Sequence, residues 1–123
     1  MTRDVGARWE DAALAYLSRT GLLLLTRNFV CRLGELDLVM RDRDCVVFVE
    51  VRYRGSETRG GGVASVGVAK RAKLIRAAQV YLLAHPQLAE LPCRFDVIGC
   101  SGSLQHPQLE WIPSAFEVEH GAL

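Results

Sequence analysis

The 123-residue chain predicts an α/β fold: one domain with a mixed β-sheet flanked by helices. Three observations carry that expectation. The periodic segments run helix, three strands, helix, two strands, an order that packs helices on the faces of a sheet. Half of the residues are hydrophobic and 24% are charged, the balance of an ordinary globular domain. The length suits a single core, so residues 1–123 are expected to form one domain, with a tail from about residue 114.

Each element has its own signal. From Val5 to Arg19, the apolar residues Val5, Trp9, Ala12, Ala13, Tyr16 and Leu17 follow helical spacing, and Gly21 sits where a helix stops. Leu22 to Arg27 reads as a strand. Gly34 to Arg41 alternates, with Leu36, Leu38 and Met40 on one side and Glu35, Asp37 and Val39 on the other. Asp42-Arg43-Asp44 is a polar break suited to a turn, and Cys45 to Arg54 is a β-branched and aromatic strand. Gly55 to Gly67 is glycine-rich and predicts a mobile loop. Val68 to His85 is a second helix, closed by Pro86. Cys93 to Cys100 and Gln108 to Ile112 complete the strands. Trp9 and Tyr16 lie on the first helix's apolar stripe and belong to the core. Asp96 is expected to be structural, with Arg94 or a backbone group as its partner.

Composition excludes some functions and leaves others open. No secretory signal is visible, and the longest apolar runs are far too short to span a bilayer, so a cytoplasmic location without membrane contact is expected. The cysteines at 31, 45, 93 and 100 form no C-x-x-C pair and read as reduced thiols. A formal net charge of +1 is silent about nucleic acid, so local charge must carry that argument.

The informative stretch is GELDLVMRDRDCVVFVEVRYR. A two-residue turn at Arg43-Asp44 pairs Asp42 with Cys45, Asp37 with Glu50 and Glu35 with Arg52. That register sets two carboxylates side by side. A one-residue slip would send them to opposite faces, and a bulge would shift the pairing. Like charges opposite one another destabilise a sheet. Two compensations have equal standing on pattern alone: a divalent cation such as Mg²⁺, which is held by one or two carboxylates plus water and phosphate, or a salt-bridge network through Arg52 and Arg54. From Arg52 to Arg76 there are seven basic residues against one acid, Glu57. Arg54, Arg59, Lys70, Lys73 and Arg76 therefore form a candidate nucleic-acid-binding set, contacting phosphates and not reading bases.

The segments R-N-F (27–29), G-E-L-D-L-V (34–39), V-F-V-E-V-R-Y-R (47–54), Lys70 with Lys73, R-F-D-V-I (94–98) and A-F (115–116) closely resemble the YraN family of small bacterial proteins. That family resembles the PD-(D/E)XK nuclease superfamily, close to Holliday-junction resolvases, which implies a restriction-endonuclease-like fold. The resemblance implies a Mg²⁺- or Mn²⁺-dependent endonuclease acting on structured or branched DNA. It makes Asp37 and Glu50 the motif acids, adds Glu10 on the first helix as a third metal ligand, and offers Glu35 as a neighbouring candidate. Arg52 stands where many members have lysine. Arginine stays charged and cannot act as a base, which leaves it to orient water or support developing charge. Cutting two strands implies a homodimer. A nucleic-acid-binding protein of the same fold without turnover and a protein-interaction adaptor are the competing readings.

Overall fold

The computed structural model describes residues 2–53 and 66–118. The elements are α1 (Arg3–Arg19), β1 (Leu23–Cys31), β2 (Gly34–Asp42), β3 (Cys45–Tyr53), α2 (Val68–Ala84), α3 (Pro86–Ala89), β4 (Cys93–Gly102) and β5 (Pro107–Phe116). The strands form one five-stranded sheet in the order β1-β2-β3-β4-β5. Pairing is antiparallel except between β3 and β4, which run parallel and are joined through α2. A parallel pair needs such a crossover. This is a mixed sheet flanked by helices, and it agrees with the restriction-endonuclease-like expectation.

Three elements depart from the sequence reading. β1 continues to Cys31 because it pairs with β2 down to Cys31↔Gly34. It does so across Asn28 at φ 58°, a conformation that asparagine tolerates better than most residues. Pro86 begins the short α3 as well as closing α2, its missing N–H costing nothing at a first helical turn. β5 extends to Phe116, so residues 114–116 belong to the sheet and not to a tail: Phe116 is buried, with its ring 4.9 Å from that of Phe95. The expected glycine-rich loop falls largely on residues 54–65, outside the described residues.

Successive residues of β3 face opposite sides of the sheet, and the core divides accordingly. Val46 and Phe48 pack with Leu74, Ala77, Ala78 and Tyr81 of α2. Val47 and Val49 pack with Ala13 and Leu17 of α1. Trp9 is buried as expected, whereas Tyr16 is half-buried with an edge-on contact to Trp111. The alternation expected for β2 breaks near Asp37, since Leu36 packs on the α2 side while Leu38 and Met40 pack on the α1 side.

Two local devices, one polar and one steric, fix this framework. The Asp96 side chain is 0% exposed and accepts hydrogen bonds from Arg94 Nε (3.0 Å), Trp111 Nε1 (2.9 Å) and the Ser114 N–H (2.9 Å). It thereby secures β5 to β4 where their register shifts between Phe95 and Val97. At the opposite side, α2 comes so close to the β1–β2 turn that a Cβ on Gly34 would stand 2.8 Å from the Lys73 carbonyl oxygen. Only glycine permits that approach. All four cysteines are free thiols. Among the described residues, no helix is long and apolar enough to cross a membrane.

Candidate functional site

The β2–β3 ladder follows the predicted register from Asp42↔Cys45 to Leu38↔Val49 and then stops. One more step would set Asp37 opposite Glu50. There the ladder gives way to a side chain: Asp37 Oδ2 accepts a hydrogen bond from the Val51 N–H at 2.9 Å. The strands part at this point, while β3 stays paired with β4 as far as Tyr53↔Cys100. The acids therefore sit in the fork where β2 leaves β3.

Burial and neighbouring charge make this fork electrostatically unfavourable for two anions. Asp37 is pushed up to about 8 from an ordinary carboxylate value of 3.8. Burial is the largest cause, the Glu50 carboxylate is next, and Glu10 adds to it; the Val51 N–H opposes them. Glu50 also raises it through a side-chain hydrogen bond, so the two carboxyl groups face each other. The Glu50 side chain is 11% exposed, and its Oε2 lies 3.5 Å from Lys70 Nζ in the first turn of α2.

Glu10 approaches from α1 but is tied to the sheet by Arg27. The Arg27 guanidinium donates from Nε to Glu10 Oε1 at 3.3 Å, from Nη1 to Asp11 Oδ1 at 2.7 Å and from Nη2 to the Ala7 carbonyl at 2.8 Å. Glu10 thus stands within electrostatic reach of Asp37 while a cation already holds one of its oxygens. Among the described residues, no three Asp, Glu, His or Cys side chains form a ready ligand set for a metal. Asp37 and Glu50 are the pair whose oxygens converge. Hard carboxylate donors suit Mg²⁺ or Mn²⁺, and two suffice where water and phosphate complete the shell.

The other predicted residues spread outward from this centre. Arg52 is half-buried on β3, opposite Gly99 in β4. Glu35 is exposed and lies between two open cavities. One, of about 430 Å³, is bordered by Arg32, Glu35, Lys70 and Lys73; the other, of about 510 Å³, by Arg3, Glu10, Asn28 and Glu35. Lys70 and Lys73 therefore share one basic hollow, as their helical spacing implied. Arg76 is exposed on α2, one turn beyond Lys73. Arg54 and Arg59 lie outside the described residues. Sequence reasoning missed three participants: Arg27 as the clasp on Glu10, and Arg3 and Arg32 at the cavity rims. The signal for Arg27 was available, because it is the one charge within the run LLLLTRNFV.

Comparisons with known proteins agree with one another. The model of the uncharacterised protein family UPF0102, the family of the YraN resemblance, matches residues 9–100. A UPF0102 protein of Stutzerimonas stutzeri (strain A1501) is 54% identical over 116 residues, covering 94% of this chain and 97% of the relative. One from Xanthomonas campestris pv. campestris (strain B100) is 55% identical over 114 residues, covering 93% and 92%. A third, from Xylella fastidiosa (strain M12), is 51% identical over 117 residues, covering 95% of each chain.

Proposed function

We propose, for a chain that belongs to the uncharacterised protein family UPF0102, a metal-dependent endonuclease that hydrolyses phosphodiester bonds in structured or branched DNA. The observation that supports this reading best is the fork at Asp37 and Glu50, where burial and a facing carboxylate hold Asp37 at about 8. A structural salt bridge would pair each acid with a cation. Here Lys70 meets Glu50, while Asp37, among the described residues, accepts from the Val51 N–H and faces another acid. A divalent cation relieves that arrangement.

Asp37 and Glu50 would hold Mg²⁺ or Mn²⁺, with Glu10 as an outer contributor once released by Arg27. When bound, the cation supplies Lewis-acid stabilisation of phosphate charge and a more acidic water. The protein's own groups do the rest. The Val51 N–H fixes the Asp37 carboxylate in the fork. Lys73 and Arg32 line the open hollow that Lys70, the partner of Glu50, also borders, and suit the phosphate backbone of a nucleic acid, without reading its bases. Arg52, two residues beyond Glu50, supports charge and takes no proton.

The test combines purified protein, Mn²⁺ or Mg²⁺, and a panel of branched, single-stranded and duplex DNA. Cleavage of branched substrates is expected, together with its loss in Asp37→Ala and Glu50→Ala proteins that remain folded by circular dichroism. Cleavage surviving either substitution removes this assignment.

A further inference from the structure

We propose that Lys70 is a catalytic residue of this same site, with its ammonium resting on Glu50 until cation and phosphate draw it away. The inference rests on the nuclease reading and extends it to a group on another element.

Three observations place Lys70 there by construction. Its Nζ is 3.5 Å from Glu50 Oε2, although the lysine side chain is 51% exposed and has open solvent available. Its helical turn is held from several directions. Gly34 admits the Lys73 backbone against the β1–β2 turn, Leu74 is 3% exposed in the core, and Arg71 Nε donates to the Val66 carbonyl at 2.6 Å. Arg71 also lies 5.4 Å from the Phe116 ring centroid. The helix backbone is thus fixed, while the four-carbon arm of Lys70 remains in the open hollow that it shares with Lys73 and Arg32. A mobile cation on an anchored base is suited to move between two anions.

Glu50 provides one of those anions, and a backbone phosphate entering the hollow provides the other. While Lys70 neutralises Glu50, it competes with any divalent cation for that carboxylate. With Glu50 holding a cation, the Lys70 ammonium would be free to donate to a non-bridging oxygen of the scissile phosphate. In the reaction, the oxygen of water bonds to phosphorus and the P–O ester bond breaks. The water proton passes to solvent, and the leaving alkoxide takes a proton from solvent, so Lys70 keeps its own throughout. Its contribution is charge placed where charge develops.

The experiment compares wild type and Lys70→Met in Mn²⁺ titrations followed by electron paramagnetic resonance and in single-turnover cleavage. For Lys70→Met, Mn²⁺ binding tightens several-fold because a competitor is gone. The cleavage rate at saturating Mn²⁺ and DNA falls on the order of 100-fold. A Lys70→Met protein that cleaves at the wild-type saturated rate, or whose Mn²⁺ affinity is unchanged or weaker, overturns the proposal. Its circular dichroism and unfolding midpoint establish that it is folded. Wild-type protein that binds Mn²⁺ but cleaves no substrate removes the nuclease reading itself, and the catalytic role of Lys70 with it.

Discussion

Replacing Asp37 by asparagine should make the cation-free protein more stable, and by an amount that depends on pH. The unfolded carboxyl ionises near its ordinary value of 3.8, whereas the folded one keeps its proton until about 8. Between those values the folded state binds more protons than the unfolded state, so rising pH costs stability, and the cost is complete above the folded value. At about 1.4 kcal/mol per unit, the gap sets a ceiling of about 5–6 kcal/mol. Relaxation and water entry bring the realised cost to about 1–3 kcal/mol. The net sign is settled by burial, Glu50 and Glu10, which disfavour the charge of Asp37 and outweigh the Val51 N–H that favours it, while Lys70 is engaged on Glu50. Asparagine keeps an acceptor for Val51 and has no proton to lose. Urea unfolding in EDTA from pH 4 to 9 should show the two proteins diverging as pH rises, Asp37→Asn being the more stable above neutrality. Adding Mg²⁺ should close the gap by stabilising wild type alone, by RT ln(1 + [Mg²⁺]/Kd). A constant difference across the whole pH range would refute the reasoning, because a buried repelled carboxylate must register its ionisation.

Two further substitutions probe the frame around the site. Asp96→Ala strips the partner from the Arg94 guanidinium, the Trp111 indole and the Ser114 N–H, and should cost about 3–5 kcal/mol in urea unfolding. A cost below about 1 kcal/mol would mean that β5 is held without it. Gly34→Ala drives a methyl group against the Lys73 carbonyl oxygen, where backbone cannot yield as a side chain could. Thermal unfolding should register a loss of about 1–3 kcal/mol, and unaltered stability would show that α2 is free to shift outward.

How much of this was legible depended on whether the determining forces were local. The hairpin was, because the alternation of GELDLVM and CVVFVEV leaves few registers that bury the apolar residues, and Arg43-Asp44 marks the turn. The observed pairing from Asp42↔Cys45 to Leu38↔Val49 is the register read from that pattern. Alternation could not report that the ladder ends one residue before Asp37, since that choice belongs to a carboxylate capturing the Val51 N–H. The same limit put Leu36 on the unexpected side of the sheet. Lys70 was readable as a cation on a helix but not as the partner of Glu50, twenty positions earlier, because helix docking against the β1–β2 turn sets that distance. Arg27 stands out as the one charge in LLLLTRNFV, yet its partners on α1 are distant in sequence and leave no periodic trace. At Phe116, the small and polar residues around it hid a strand that stacking on Phe95 completes.

The Arg27 clasp also has a mechanical consequence. One guanidinium grips Ala7, Glu10 and Asp11 along a single turn of α1 and ties that turn to the edge strand of the sheet. Cutting the tie would let Glu10 follow its helix instead of the strand.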